Sequence, residues 1–172
     1  MQELNAGSCV TRKRPAEMDG PSVDDERDDK SSGDKVPYRV LIIDDDADDI
    51  YLMRNALSHA ADYLPGPVAI STAQNGAEAL DALNTAHREG ALPDLILLDL
   101  NMPVMDGLTM LTHCRADTIF NRLSIVVVTT ASDPRSHAQA RALGASAVHV
   151  KPATRDEMVK VMTSVTTQYL LD

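Results

Sequence analysis

The stretch DLILLDLNMPVMDG, residues 94–107, runs four apolar residues into a carboxylate and then into a loop of Met-Pro and Asp-Gly. A continuous apolar run has no solvent face, so it suits a strand covered on both sides rather than one half exposed. The run recurs. RVLIID (39–44), PVAIST (67–72), SIVVVT (124–129) and AVHVK (147–151) have the same character. Between these runs the spacing of apolar residues changes to that of a helix, over 48–60, 76–90, 107–116, 134–144 and 155–170. Gly90 and Gly144 are read as closing two of those helices.

Five strands alternating with five helices predict an α/β fold, a parallel sheet with helices on both faces. The crossovers are expected to be right-handed. Five such units suit the flavodoxin-like (βα)5 three-layer sandwich, with strand order 2-1-3-4-5. Ligands of this topology bind where the strand order reverses, outside the carboxyl ends of strands 1 and 3.

The residues at those ends are therefore the candidate site. Strand 1 runs into Asp44-Asp45-Asp46 and strand 3 into Asp99. Carboxylates gathered together repel unless a cation joins them. Hard oxygen donors suit Mg²⁺ or Mn²⁺ better than zinc. Strand 4 ends in Thr129-Thr130 and strand 5 in Lys151-Pro152, on the same sheet edge. Carboxylates, a metal, a hydroxyl and an ammonium together suit an anionic phosphoryl group, with a carboxylate as its nucleophile. Asp46, Asp48 and Asp49 begin helix 1, where free N–H groups favour acids, and are read as capping residues.

These motifs, IIDDD, LLDLNMPVMDG, VVVTTA and VKPAT in this order, resemble the receiver domain of two-component response regulators from about Val36 to Leu171. The steps of thirty residues from Asp99 to Thr129 and twenty-two from Thr129 to Lys151 are also receiver-like. The resemblance implies Asp99 as phosphoacceptor. It implies Asp44, Asp45, Asp99 and the backbone carbonyl of Asn101 as the Mg²⁺ (or Mn²⁺) site, with Thr129 and Lys151 binding the phosphoryl group. It further implies a sensor histidine kinase or histidine phosphotransfer protein as phosphoryl donor, and a downstream protein as target. Only self-catalysed transfer and slow autodephosphorylation are expected, not an enzyme's turnover. A phosphorelay intermediate and an inert receiver-like scaffold are the alternatives. The connections AADYLPGP and RADTIFNRL resemble those of small receivers paired with phytochrome-type kinases.

Two positions depart from the family. The aromatic switch residue that receivers commonly carry three positions before the Lys is here Val148, and the Phe that often follows Lys-Pro is here Ala153. Rival carboxylate-nucleophile phosphatases of the haloacid dehalogenase type need a second acid two positions on, where this chain has Asn101. A flavodoxin needs a phosphate-cradling loop after strand 1, where three aspartates would repel phosphate.

Composition bounds the partners. A net charge of −10 argues against nucleic acid or an anionic membrane as partner. The two cysteines, Cys9 and Cys114, form no disulfide framework or metal spacing. Residues 1–20 carry no apolar h-region and no stretch reaches the roughly 18 apolar residues of a span, so neither a secretory signal nor a membrane segment is expected, and a cytoplasmic location is. The scattered histidines are read as structural or solvated. Residues 1–35 are charged and nearly free of branched apolar residues, which predicts a disordered tail before a receiver domain at 36–172. The basic RKRP at 12–15 is read as solvated. With only one helix after Lys151, no output domain is expected. The terminal Tyr169-Leu170-Leu171 extends the apolar stripe of the last helix beyond what packing on the sheet needs. With the resemblance, this points to a homodimer through helix 4, strand 5 and helix 5.

Overall fold

The computed structural model describes residues 35–171. The expectations for the tail, for Cys9 and for the basic patch at 12–15 lie outside the described residues. Five strands, β1 (Tyr38–Ile43), β2 (Val68–Ala73), β3 (Leu95–Leu98), β4 (Ser124–Thr129) and β5 (Ala147–Val150), alternate with five helices. The helices are α1 (Ala47–Ala60), α2 (Gly76–Arg88), α3 (Gly107–Ala116), α4 (Pro134–Ala142) and α5 (Arg155–Leu170). The sheet has the expected order, β2-β1-β3-β4-β5, and every pairing is parallel. Among the described residues no helix is long and apolar enough to cross a membrane.

Alternate residues of each strand feed two separate cores. Leu41, Ile43, Ile96, Leu98, Ile125 and Val127 meet Leu83, Met110, Leu111 and Cys114 from α2 and α3. Val40, Ile42, Leu95, Leu97, Val126 and Val128 meet Met53 and Leu57 of α1 and Met158, Met162 and Val165 of α5. This two-sided burial is why the central strands read as unbroken apolar runs. Each such buried side chain contributes about 1.5–3 kcal/mol relative to exposure.

Each helix opens on a side chain that accepts from its free N–H groups. Asp46 accepts from Asp48 and Asp49, Asn75 from Glu78 and Asp106 from Thr109. Asp133 accepts from Ser136, and Thr154 from Glu157. The second and fourth helices end two residues before the expected boundary. Gly90 (φ +66°) and Gly144 (φ +95°) lie just past the helix ends in the left-handed conformation that terminates helices.

Two connections differ from a plain loop. A 3-10 turn, Ala61–Tyr63, follows α1. Between α3 and β4 the Arg115 guanidinium acts as a clamp. It donates to the carbonyls of Gly144 (2.9 Å), Asn121 (3.2 Å), Phe120 (3.4 Å) and Leu123 (3.0 Å).

The end of α5 corrects one expectation. Leu170 is buried, and the Tyr169 hydroxyl donates to the Ser146 carbonyl at 3.0 Å. These two side chains complete the packing of α5 rather than exceed it. Leu171 and Val150, at 43% and 45% exposure, are what remain uncovered on this side.

Candidate functional site

Backbone pairing continues one step past the strands. The Asp44 N–H donates to the Ala73 carbonyl (3.0 Å), that of Asp99 to Ile43 (2.9 Å), and that of Lys151 to Thr129 (2.8 Å). The strand-end residues are thus pinned in register as rigidly as the strands. Asp44 is fully buried, Asp99 is 4% exposed and Thr129 is buried. The predicted set of Asp44, Asp45, Asp99, Thr129 and Lys151 comes together at one edge of the sheet.

The Lys151 ammonium sits 2.7 Å from Asp44 Oδ2 and 3.7 Å from Asp99 Oδ1, with its side chain 6% exposed. A third partner was not expected. Asp49 Oδ2 accepts a hydrogen bond from Lys151 Nζ at 2.7 Å. The expectation that Asp46, Asp48 and Asp49 all serve as caps is therefore corrected. Asp46 Oδ1 takes the N–H groups of both Asp48 and Asp49 (2.8 and 3.4 Å). With the cap already supplied, the Asp49 carboxylate turns to the lysine. The signal was present in the sequence only as an acid in the first turn of α1, which every capped helix favours.

The electrostatics follow from burial. Burial pushes the Asp44 carboxyl above its ordinary value, against the opposing pull of Lys151. Burial also raises Asp99, opposed by the Lys151 charge, the Thr129 hydroxyl and the Leu100 N–H. Burial acts to lower the pKa of Lys151, but its contacts with Asp44 and Asp49 and the charge of Asp99 outweigh this and hold the ammonium above 10.5. The lysine remains a cation, while the two buried carboxylates lack enough positive charge.

Two oxygens show that deficit directly. Asp99 Oδ1 is buried with no aligned donor, and Asp44 Oδ2 is buried with only the Lys151 ammonium beside it. The close approach of Lys151 to Asp44 Oδ2 supplies charge but not an aligned N–H. Carboxylate oxygens of Asp44, Asp45 and Asp99 lie within 4.8 Å of one another, with Asp45 exposed at the mouth. Two carboxylate charges that far apart repel by roughly 3 kcal/mol at an effective dielectric constant of 20. Undonated, clustered, hard oxygens beside an open side fit a divalent cation that keeps some of its waters.

The connection from β3 to α3 forms the remaining wall. Asn101 is exposed while Met102 is buried. Val104 adopts φ +66°, and Met105 N–H donates back to the Pro103 carbonyl at 2.8 Å. A β-branched residue in this region costs of order 1–3 kcal/mol and is kept only where the surroundings dictate it. Here the Met105 carbonyl accepts from the Gly76 N–H (3.0 Å), and the Gly107 N–H donates to Leu100 (3.0 Å), which ties the loop at both ends. On the other side, Thr129 Oγ1 accepts from the Ala131 N–H at 3.2 Å. The Ala131 carbonyl contacts His137 Nε2 at 2.7 Å. Val148 packs at the edge of the core beside α3 and α4, and Ala153 is exposed.

Comparison with known proteins agrees with this geometry. The family model described as response regulator receiver domain matches residues 40–163. The transcriptional regulatory protein PrrA of Mycobacterium tuberculosis is 36% identical over 121 residues, 70% of this chain and 46% of PrrA. The chain thus spans about half the length of that relative. Among solved structures, the phosphorylated cyanobacterial phytochrome response regulator RcpA aligns with a TM-score of 0.71 at 26% identity, over 78% of this chain and 95% of its own. The response regulator RPA3017, in red light signalling of R. palustris, aligns with a TM-score of 0.68 at 25% identity, over 78% of this chain and 94% of its own.

Proposed function

This chain belongs to the response regulator receiver domain family, and on that premise we propose that it accepts a phosphoryl group on the Asp99 carboxylate and signals by binding other proteins. The observation that carries the reading is the meeting of Asp44, Asp45 and Asp99 within 4.8 Å, with the Lys151 ammonium 3.7 Å from Asp99. Receiver domains work with histidine kinases in two-component signalling. The donor is accordingly a phosphohistidine, on a sensor kinase or a histidine phosphotransfer protein. An Asp99 oxygen attacks phosphorus, the P–N bond breaks, the imidazole leaves, and an acyl phosphate remains.

The chain's own groups prepare this step. Asp99 is fixed by its N–H bond to Ile43. Lys151 and the Thr129 hydroxyl are the donors available to phosphoryl oxygens. Asp44, Asp45, Asp99 and the Asn101 carbonyl would hold Mg²⁺ or Mn²⁺, which when bound supplies positive charge to the transferring group. The role is that of a self-modifying switch without turnover of a separate substrate, and its place is the cytoplasm. The phosphorylated state of RcpA belongs to that protein and supports the same assignment here. The exposure of Val150 and Leu171 supports the α4–β5–α5 face as the surface through which two copies pair.

The test is transfer of label from a phosphorylated histidine kinase in the presence of Mg²⁺. The wild-type chain should gain an alkali-labile label and Asp99→Asn should gain none, because an amide is a poor nucleophile. Full labelling of Asp99→Asn would overturn the assignment.

A further inference from the structure

We propose that Asp49 is a positioning residue that holds the Lys151 ammonium on the α1 side of the site while Asp99 is unphosphorylated, and yields it once Asp99 carries a phosphoryl group. The inference rests on the phosphoacceptor reading above and concerns how the lysine is shared.

Asp49 is free for this task. The cap of α1 is made by Asp46, whose Oδ1 accepts from both Asp48 and Asp49. The Asp49 carboxylate is therefore not used on its own helix. It reaches across the fold to β5 and takes an aligned hydrogen bond from Lys151 Nζ at 2.7 Å. The same ammonium is 3.7 Å from Asp99 Oδ1, an oxygen left without any donor. The lysine is thus shared at 2.7 Å between Asp44 of the cluster and Asp49 outside it, and stands short of the residue on which the chemistry takes place.

Burial decides which partner gives way. The Asp44 side chain has no exposure, and that of Asp49 has 25%. A carboxylate with a solvent face can exchange a lost ammonium for water, whereas a fully buried one cannot. Phosphorylation replaces a carboxylate of charge −1 by a group of charge near −2 with three acceptor oxygens. Lys151, with three N–H donors, can follow that charge by releasing Asp49 while keeping Asp44. Asp49 is then a resting-state competitor for the lysine, and its release frees the first turn of α1 from β5.

The test uses the full chain with Mg²⁺ and acetyl phosphate as phosphoryl donor, so that no kinase surface is involved. Asp49→Asn should be phosphorylated about threefold faster or more, since the amide holds an ammonium less firmly than a carboxylate does. Asp48→Asn removes the same charge from the same helical turn without touching Lys151, and should leave the rate unchanged. In a Lys151→Met background, Asp49→Asn should have no effect, as a double-mutant cycle requires of a residue acting through the lysine. An unchanged or slower rate in Asp49→Asn overturns the proposal. An equal gain without Lys151, or with Asp48→Asn, does so too, because the effect then comes from net charge alone. A wild-type chain that never takes up phosphoryl removes the phosphoacceptor reading and this inference with it. Wild-type phosphorylation with an inert Asp49 removes this inference only.

Discussion

Gly107 lies directly against the backbone of Asp99. A Cβ at Gly107 would collide with the Asp99 carbonyl and come within 2.8 Å of Leu100 Cα. The start of α3 can approach the phosphoacceptor candidate this closely only because residue 107 has no side chain. Gly107→Ala must push either α3 or the end of β3 aside. It should cost about 1–3 kcal/mol by overpacking, read in chemical denaturation. It should also slow phosphorylation of Asp99 by more than the stability loss implies. A variant of wild-type stability and rate would mean that α3 has slack the structure does not show.

Burial holds the carboxyls of Asp44 and Asp99 above 3.8 in the folded chain. A raised carboxyl stabilises the fold while it is protonated. That contribution is complete below pH 3.8 and is lost as pH rises through the folded value. At pH 7 with a chelator present, ionised Asp99 is therefore a net burden on the fold. Asp99→Asn should melt a few degrees higher there, at about 2–4 °C per kcal/mol for a chain of this size. The gap should close as the pH falls toward 3.8. A variant that melts lower than wild type at pH 7 would show that the lysine outweighs burial.

Asp45 is the exposed member of the acidic cluster. It carries little of the burial cost, so its removal should affect cation binding more than folding. Asp45→Ala should weaken Mg²⁺ affinity at least tenfold, about 1.4 kcal/mol, in a titration followed by NMR shifts near Asp99. An unchanged affinity at wild-type stability would take Asp45 out of the ligand set.

Hydrolysis of an Asp99 phosphoryl group needs a water in line with the O–P bond. The resemblance to receivers implies that the side chains two beyond Asp99 and two beyond Thr129, here Asn101 and Ala131, border that water. Asn101 is exposed and can orient water through its amide. Ala131 offers only a methyl group, with its N–H already given to Thr129 Oγ1. One missing water contact is worth about 1 kcal/mol, or roughly fivefold in rate. Ala131→Glu should shorten the lifetime of the label and Asn101→Met should lengthen it. Decay rates indifferent to both changes would place control of the lifetime outside these side chains.

Periodicity and strand-end chemistry are local properties, and they were enough to reach the architecture. Runs such as Leu95–Leu98 and Ser124–Thr129 could only be strands covered on both faces. Once β1 and β3 are neighbours, Asp44 and Asp99 must emerge side by side, because register carries one past Ile43 and the other past Leu98. The core of the site was legible for this reason. What was not legible depends on distances between segments far apart in sequence. Asp49 and Lys151 are 102 residues apart. Arg115 reaches the Gly144 carbonyl across 29 residues, and Tyr169 reaches Ser146 across 23. An acid in the first turn of a helix, an arginine at a helix end and an aromatic at a chain terminus each suit a solvated position equally well. Local pattern cannot separate the two outcomes, since the free energy that decides between them arises only when the partner is brought within hydrogen-bonding reach. The sequence determined which groups line the sheet edge. The tertiary structure alone decided which of them hold one another there.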